Sequence, residues 1–483
     1  MVFMVIRYRF VCLLLAMVVA SASALTAQVP PLDEMTSGRH YIVAFPDTVR
    51  TVLDQQIKYQ VNDSIAILIY SAVDNRIVIT APDYNRTVTL QAGKFATIYV
   101  NDVKAFAPHQ FVDVVGQVSD ATFRLDAAEP VVVYCYMMTQ FGGEGWTPLP
   151  VEAWGQEYFA ATQPGETVQD VINSTGIRAE DSVTAPLVFL RQKQAPAEIL
   201  IIAAFDGTTV SIEPTSPLQG SSRTEITLNA GQCYQVQSIV DTNRTRDTTK
   251  AQTSLAGSIV KANHPIGVLS GNTRGSSFGQ FPGFEEMANP YHNMEMEWLA
   301  PIECQGKEFV VVPDVDTRRM IKDNVNTIEP YARRINLYGI SPVVTHVQET
   351  GDSIPSTTID LPQKAVQSIV SKNLSSVFLL HSSQPIQVMN LASAVAYKSG
   401  GIEISAEIAA HGSYMTEVVP REQWSSFVPY SVPDVVTGMR HFISVVADSG
   451  SRGLIYKEDG TPFKFNPETI KGTDLIFGSD SVT

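Results

Sequence analysis

Cysteine is scarce in this sequence. There are four in 483 residues, and one of them, Cys12, lies in the N-terminal apolar run. The other three, Cys135, Cys233 and Cys304, allow at most one intramolecular bridge. No CxxC pair is present. A disulfide-stapled scaffold and a cysteine-based zinc module are both excluded. Apolar neighbours at residues 131–136 mark Cys135 as a buried structural thiol. Positive charge is also short, with 34 Lys and Arg against 49 Asp and Glu and a net charge of −15. Such a surface repels phosphate, which argues against nucleic acid as a partner. Beyond the N-terminal run, no stretch is long and apolar enough for a membrane helix, so no integral membrane segment remains after signal removal. Helical periodicity is nearly missing. Residues 285–297 could hold one short helix, which Pro290 would break.

What is present begins with a leader. Arg7 and Arg9 precede an apolar run at residues 10–20, and small residues follow it. This is the pattern of a cleaved secretory signal, with cleavage after Ala24 or Ala27. Residues 1–27 are read as the signal peptide, and the chain as secreted or displayed at the cell surface. An uncleaved anchor is the alternative reading.

The remainder repeats itself. RTVTLQAGKFATIYV (residues 86–100) recurs as TEITLNAGQCYQVQSIV (224–240) and, more weakly, as TTIDLPQKAVQSIV (357–370). The Ala-Gly turn of the first two becomes Gln363-Lys364 in the third. Apolar and polar residues alternate, the period of a half-buried strand. A second element places Pro130, Pro265 and Pro385 in apolar runs, where each proline is expected to open a strand. A third element joins the units. Pro150, Pro301 and Pro420 are each followed four residues later by Trp154, Gln305 and Trp424. Before each leucine run lies another apolar strand pair, with Asp74-Asn75 and Asp206-Gly207 as hairpin-turn signals. Units begin near Gly38, Gly155, Gly306 and Ser425.

These intervals are too long for propeller blades of ~40–50 residues and suit small β-sandwiches. The expected fold is all-β, built of tandem sandwich-like units: three full repeats and a partial fourth. The expected boundaries are 28–150, 151–301, 302–420 and 421–483. Whether the units stand alone or share a core is left open by the pattern. The fourth unit lacks the leucine run and the proline-bearing strand, so its missing strands are expected downstream of Thr483.

At these motifs the chain resembles the N-terminal domain family of the IgGFc-binding protein. That family has a Leu-Pro, a few residues, then Trp-Gly-x-x-Tyr/Phe, matched here by Leu149, Pro150, Trp154, Gly155 and Tyr158. His292, Glu295 and residues 298–301 resemble its His-x-x-Glu-x-x-x-x-Pro stretch, with Gln305 replacing the usual tryptophan. The DGT strand at Asp206 and the Leu-x-Ala-Gly turns fit as well. The resemblance covers nearly the whole mature chain. It implies a secreted or surface-exposed module. The animal member is a mucus protein named for binding the Fc part of IgG. No catalytic or Fc-contact residues carry over, so the implication is binding or adhesion in the broad sense.

Each candidate site has a plainer explanation. Residues 275–279 match G-x-S-x-G around Ser277. A nucleophile elbow needs a helix directly after the serine, and Gln280-Phe281-Pro282-Gly283 reads as loop. A serine hydrolase pairing Ser277 with His292, His346, His381 or His411 is the alternative function. A passive structural segment of a surface protein is a further one. His292, Glu295 and Glu297 could ligate metal, but in a strand His292 points away from the two carboxylates. Asp314 with Asp316, and Asp241 with Asn243 and Asp247, lack the spacing of a calcium loop. Trp154 and Trp424 suit sugar stacking less well than packing at unit junctions. Sequons stand at Asn62, Asn85, Asn173, Asn243 and Asn373. The polar stretch 163–196 is an insertion in the second unit and a candidate binding loop. No catalytic, cofactor-binding or metal residue is assigned, and no cofactor is expected. The expected partner is a protein, glycoprotein or glycan, bound without catalysis.

Overall fold

The computed structural model describes residues 35–46, 52–53, 56–57, 64–82, 84–100, 115–139, 142–163, 196–220, 222–239, 254–275, 293–312, 326–327, 333–350, 356–371, 377–392, 397–399, 402–403, 414–425, 427–430 and 446–448. The signal peptide and nearly all of the partial fourth unit lie outside them.

The first unit contains β1 (Ser37–Val43), the small pair β2 (Val52–Leu53) and β3 (Gln56–Ile57), β4 (Ser64–Ser71), β5 (Asn75–Ala81), β6 (Tyr84–Leu90), β7 (Lys94–Tyr99), β8 (Val118–Ser119), β9 (Phe123–Thr139) and β10 (Gly142–Trp146). The second contains β11 (Gly155–Phe159), β12 (Ala197–Ala203), β13 (Thr208–Glu213), β14 (Glu225–Leu228), β15 (Cys233–Gln237), β16 (Ile259–Gly275) and β17 (Asn293–Trp298). The third contains β18 (Gly306–Val311), β19 (Asn326–Thr327), β20 (Arg333–Gly339), β21 (Val343–Thr350), β22 (Thr357–Leu361), β23 (Ala365–Ser371), β24 (Val377–Ala392), β25 (Tyr397–Ser399), β26 (Ile402–Glu403) and β27 (Tyr414–Glu417). The protein is all-β, as its period-two patterning predicts.

One strand path is used three times: β6-β5-β9-β4-β7, β14-β13-β16-β12-β15 and β22-β21-β24-β20-β23. The long strand of each set also pairs with the first and last strands of its unit: β1 and β10, β11 and β17, β18 and β27. Its two halves have different partners. In β9, residues 124–127 pair with β5 and residues 132–138 with β4. Phe123, Leu125, Val131, Val133, Cys135 and Met137 share one parity and enter one core together with Ile65, Ile67 and Ile69 of β4 and Ile77 and Ile79 of β5. Residues on one face of a sheet reach a common core only if the sheet curls round it. Each unit is thus a sandwich made by folding one sheet across its middle, with the long strand turning the corner.

Two expectations are corrected at this corner. Pro130, Pro265 and Pro385 do not open strands; they lie in the middle of β9, β16 and β24. The opening strand loses register there in all three units, between Gly38 and His40, Gly155 and Glu157, and Gly306 and Glu308. Proline has no N–H to donate, and a bulge is where a ladder needs none. Asp74-Asn75 and Asp206-Gly207 do not close hairpins either. The strands on either side of each turn, β4 with β5 and β12 with β13, pair with opposite halves of the long strand. These turns instead hold the leucine-run turns. The Asp74 carboxylate accepts from Ala92 N at 2.9 Å and that of Asp206 from Ala230 N at 2.9 Å. The leucine-run turns need left-handed backbone, at Gly93 (φ 72°), Gly231 (φ 83°) and, in the third unit, Lys364 (φ 54°).

The units share cores. All seven residues of β12 are buried. Ile199, Ile201 and Ala203 face the second unit's core, while Leu200 and Ile202 join the first unit's. Tyr338, Met389, Leu391 and Met415 of the third unit join the second unit's core in the same way. Strand β8, from the first unit, pairs with β15 of the second. Cys135 and Cys233 are buried free thiols and Cys304 is half-buried. Burial pushes the thiols of Cys135, Cys233 and Cys304 above the usual range. Residues 293–298, inside the stretch with helical potential, form strand β17, because their side chains alternate between two neighbouring units.

Candidate functional site

The unit boundary is the most regular feature of the molecule. A single 3-10 turn follows each boundary proline: Val151–Ala153 after Pro150, Ile302–Cys304 after Pro301, and Arg421–Gln423 after Pro420. Each proline packs on the glycine that opened its own unit. A Cβ added to Gly38, Gly155 or Gly306 would lie 2.3, 2.3 or 2.2 Å from the proline Cβ. Only glycine fits so close an approach. The turn's glutamate then reaches the bulge. Glu152 accepts from Arg39 N at 3.2 Å and Glu422 accepts from Lys307 N at 2.8 Å. A tyrosine satisfies groups that the bulge frees. Tyr41 Oη accepts from Gly38 N at 3.1 Å and donates to the Val131 carbonyl at 2.6 Å. Tyr158 does the same with Gly155 N at 2.9 Å and the Ile266 carbonyl at 2.6 Å. Phe309 holds this place in the third unit and has no hydroxyl to offer.

Trp154 is a packing anchor. It is buried, its Nε1 donates to the Leu149 carbonyl at 2.9 Å, and its ring lies 6.0 Å from that of Trp298. Trp424 is half-buried.

Carboxylates converge where β10, β17 and β27 meet. Met294, Met296 and Trp298 of β17 enter the first unit's core, so Glu295 and Glu297 face the other way. Glu297 accepts from the amides of Trp298 at 3.0 Å and Glu417 at 3.2 Å. Glu417 accepts from Ala300 N at 3.0 Å. Burial raises Glu297 to about 8, with the Glu417 charge adding to the shift, and burial raises Glu417 to about 7. Glu144 is pushed well up by burial and by the nearby charges of Glu297 and Glu295. Arg334, buried beside Glu295 and hydrogen-bonded to Gln163, brings a cation to this region. Glu297 and Glu417 bond backbone amides across the boundary between the second and third units, so the geometry is that of a joint between units. The sequence pattern points to Glu295 and Glu297 but not to Glu144, Glu417 or Arg334. Glu144 lies between Gly143 and Gly145, Glu417 follows Thr416 and Arg334 follows Arg333, so no local pattern marks them.

His346 and His381 are cross-strand neighbours on β21 and β24, and both are exposed. His346 Nδ1 lies 3.1 Å from Thr358 Oγ1, and His381 Nδ1 3.7 Å from Glu308. Asn85 is exposed. Ser277, His292, His411, Asp314, Asp316, Asp241, Asn243, Asp247, Asn62, Asn173, Asn373 and residues 164–195 of the insertion lie outside the described residues. Among the described residues, no helix is long and apolar enough to cross a membrane.

Fold and boundary geometry together define a class: tandem folded-sheet sandwiches fused through glycine-proline clasps. The profile of the IgGFc binding protein family matches residues 145–477, and the chain belongs to that family. No curated protein matches it. Among solved structures, one likeness is to a Ca2+-stabilized adhesin with which an Antarctic bacterium binds ice, at 9% identity and TM-score 0.11, covering 80% of this chain and 74% of that one. Another is to a 1.5-MDa bacterial ice-binding adhesin, at 6% identity and TM-score 0.09, covering 74% of this chain and 90% of that one. Scores this low carry no argument.

Proposed function

We propose that the chain is a secreted or surface-exposed module that binds a protein or glycoprotein ligand without catalysis. The family match over residues 145–477 carries this reading. The frame supports it. Three sandwiches with shared cores make a stiff body on which connecting loops present side chains, the arrangement common in recognition proteins. The buried carboxylates hold amides, which suits a structural role. The unit boundaries 28–150, 151–301, 302–420 and 421–483 belong to the same proposal.

The test is retention. Purified chain is passed over immobilised glycoproteins, with the Fc part of IgG among them, and over a glycan array, while a serine-directed activity probe runs in parallel. Saturable retention with no probe labelling is the expected result. Labelling abolished by Ser277→Ala would make the protein a hydrolase. Failure to be retained on any surface would make it a passive structural segment.

A further inference from the structure

The outward face of the second half of each folded sheet is covered in the second and third units and not in the first. In the second unit it carries Leu200, Ile202 and Leu269, all buried against the first unit. In the third it carries Tyr338, Met389 and Leu391, all buried against the second. The register places Tyr70, Tyr134 and Tyr136 of the first unit at the positions of Tyr338, Met389 and Leu391, and Tyr70 and Tyr134 at those of Ile202 and Leu269. Leu68, at the position of Leu200, is buried. The three tyrosines are only half-buried, and Phe95 stands beside Tyr70 at a ring distance of 5.0 Å. Among the described residues, no sandwich lies on them. A short segment outside any helix or strand does, Phe427-Val428-Pro429-Tyr430. The Phe427 ring is 6.0 Å from that of Tyr70, and the Tyr134 hydroxyl donates to the Pro429 carbonyl.

This seat is shallow. Phe427, Val428 and Tyr430 remain 57%, 65% and 46% exposed. A side chain that keeps half its surface in water gains little from burial. The face has the chemistry of a peptide reader. Tyrosine rings offer contact area with few rotamers to freeze, and hydroxyls give the chain direction. Aromatic-lined surfaces suit proline-bearing extended chain, which is already stiff. Burial raises the Tyr134 hydroxyl to about 12, so it stays a donor throughout the physiological range.

We propose that the tyrosine face of the first unit is a peptide-binding surface for extended segments with an aromatic residue two places before a proline, and that Phe427–Tyr430 is its resident occupant. The proposal rests on the binding reading above and names its site. An external protein segment of the same pattern competes with the resident one, and the face opens when the resident segment lifts.

The test uses the full chain and a fluorescent synthetic peptide with the sequence of residues 425–433. Anisotropy is compared between the parent and the double variant Phe427→Ser with Tyr430→Ser. Both substituted residues are exposed, so the fold should survive; Phe427→Ala alone serves if circular dichroism shows strand loss. The expected result is peptide binding at least about tenfold tighter in the variant, lost again when Tyr70→Ser and Tyr134→Phe are added. Equal binding by parent and variant, no binding by either, or binding that survives the tyrosine substitutions would overturn the proposal. So would dimerisation of the variant, which would make the occupant a second copy. A parent chain that is retained on glycoproteins while the peptide result is negative would leave the binding reading intact and remove this site.

Discussion

The outer faces of the first and second units do opposite things with the same backbone. In the second, β12 is buried on both sides, and Leu200, Ile202 and Leu269 serve the neighbouring core. In the first, Tyr70 and Tyr134 hold the places of Ile202 and Leu269 and, with Tyr136 beside them, are half-open to water, while Leu68 at the place of Leu200 is buried. Register, pairing and corner geometry are alike, so the difference lies in the side chains and in the preceding unit that covers the face in the second and third. Leu200, Ile202 and Leu269 in the second unit, and Tyr338, Met389 and Leu391 in the third, make the face a permanent joint. Tyrosines make it a surface that is stable when partly wet and can still accept a partner.

The comparison breaks most visibly with a charge. Leu269→Asp places an unpaired carboxylate between two cores and should cost about 4 kcal/mol or more, lost as urea midpoint or as soluble protein. Tyr134→Ser, at the equivalent position in the first unit, should cost about 1 kcal/mol. Comparable losses would mean the two faces are equally buried.

Next in size is the boundary clasp. Gly155→Ala brings a Cβ to 2.3 Å from the Pro301 Cβ and should destabilise by about 2–3 kcal/mol. Gly207→Ala is the contrast. Nothing lies within 4 Å of its added Cβ, and only the positive φ of 68° opposes it, at about 1 kcal/mol. Reversal of that order in thermal melts would remove the clasp from the account.

The joint among β10, β17 and β27 predicts a pH trend. Glu297 and Glu417 have folded-state values raised to about 8 and about 7, above the usual 4.5. Their contribution is fully present below pH 4.5 and is lost as pH rises through 7 and 8. A tenfold change in proton affinity corresponds to about 1.4 kcal/mol. The two carboxylates sense each other's charge and keep some accessible surface, so the combined loss should be only a few kcal/mol. The melting temperature should fall between pH 5 and pH 8.5, and Glu297→Gln with Glu417→Gln should flatten the fall. An unchanged slope in the double variant would place the titrating groups elsewhere.

Apart from the two contrast variants, the smallest expected effect is at the bulge. Tyr158→Phe removes the hydroxyl that ties Gly155 N to the Ile266 carbonyl and should cost about 1–2 kcal/mol. The third unit folds with Phe309 at that place. A cost far above this range would make the hydroxyl essential in one unit and dispensable in another.

Much of this was legible in the sequence. The all-β class, the threefold repetition and the role of Trp154 as an anchor follow from alternation and from Pro and Gly recurring in fixed order. Those residues recur because each sits at a corner, bulge or clasp that only it fits. Strand partners were not legible. Pro130 looks like the start of a strand, and only the pairing of both flanks shows one strand passing through it. The Asp74 and Asp206 turns look like hairpins, since local chemistry records a turn but not which half of a distant strand its arms join. The tyrosine face could have been found by aligning the three prolines. Tyr134 then stands opposite Leu269 and Met389, a polar-tipped ring where the other units have aliphatics.

The central claim is that equivalent faces are sealed in the second and third units and open in the first. Hydroxyl-radical footprinting of the native chain with residue-level mass spectrometry tests it directly. Met389 and Met415 are intrinsically the more reactive side chains, yet they should stay protected with Leu269 until the protein unfolds, while Tyr70, Tyr134 and Tyr136 are modified in the native state. Modification of Met389 and Met415 at rates matching those tyrosines would contradict it.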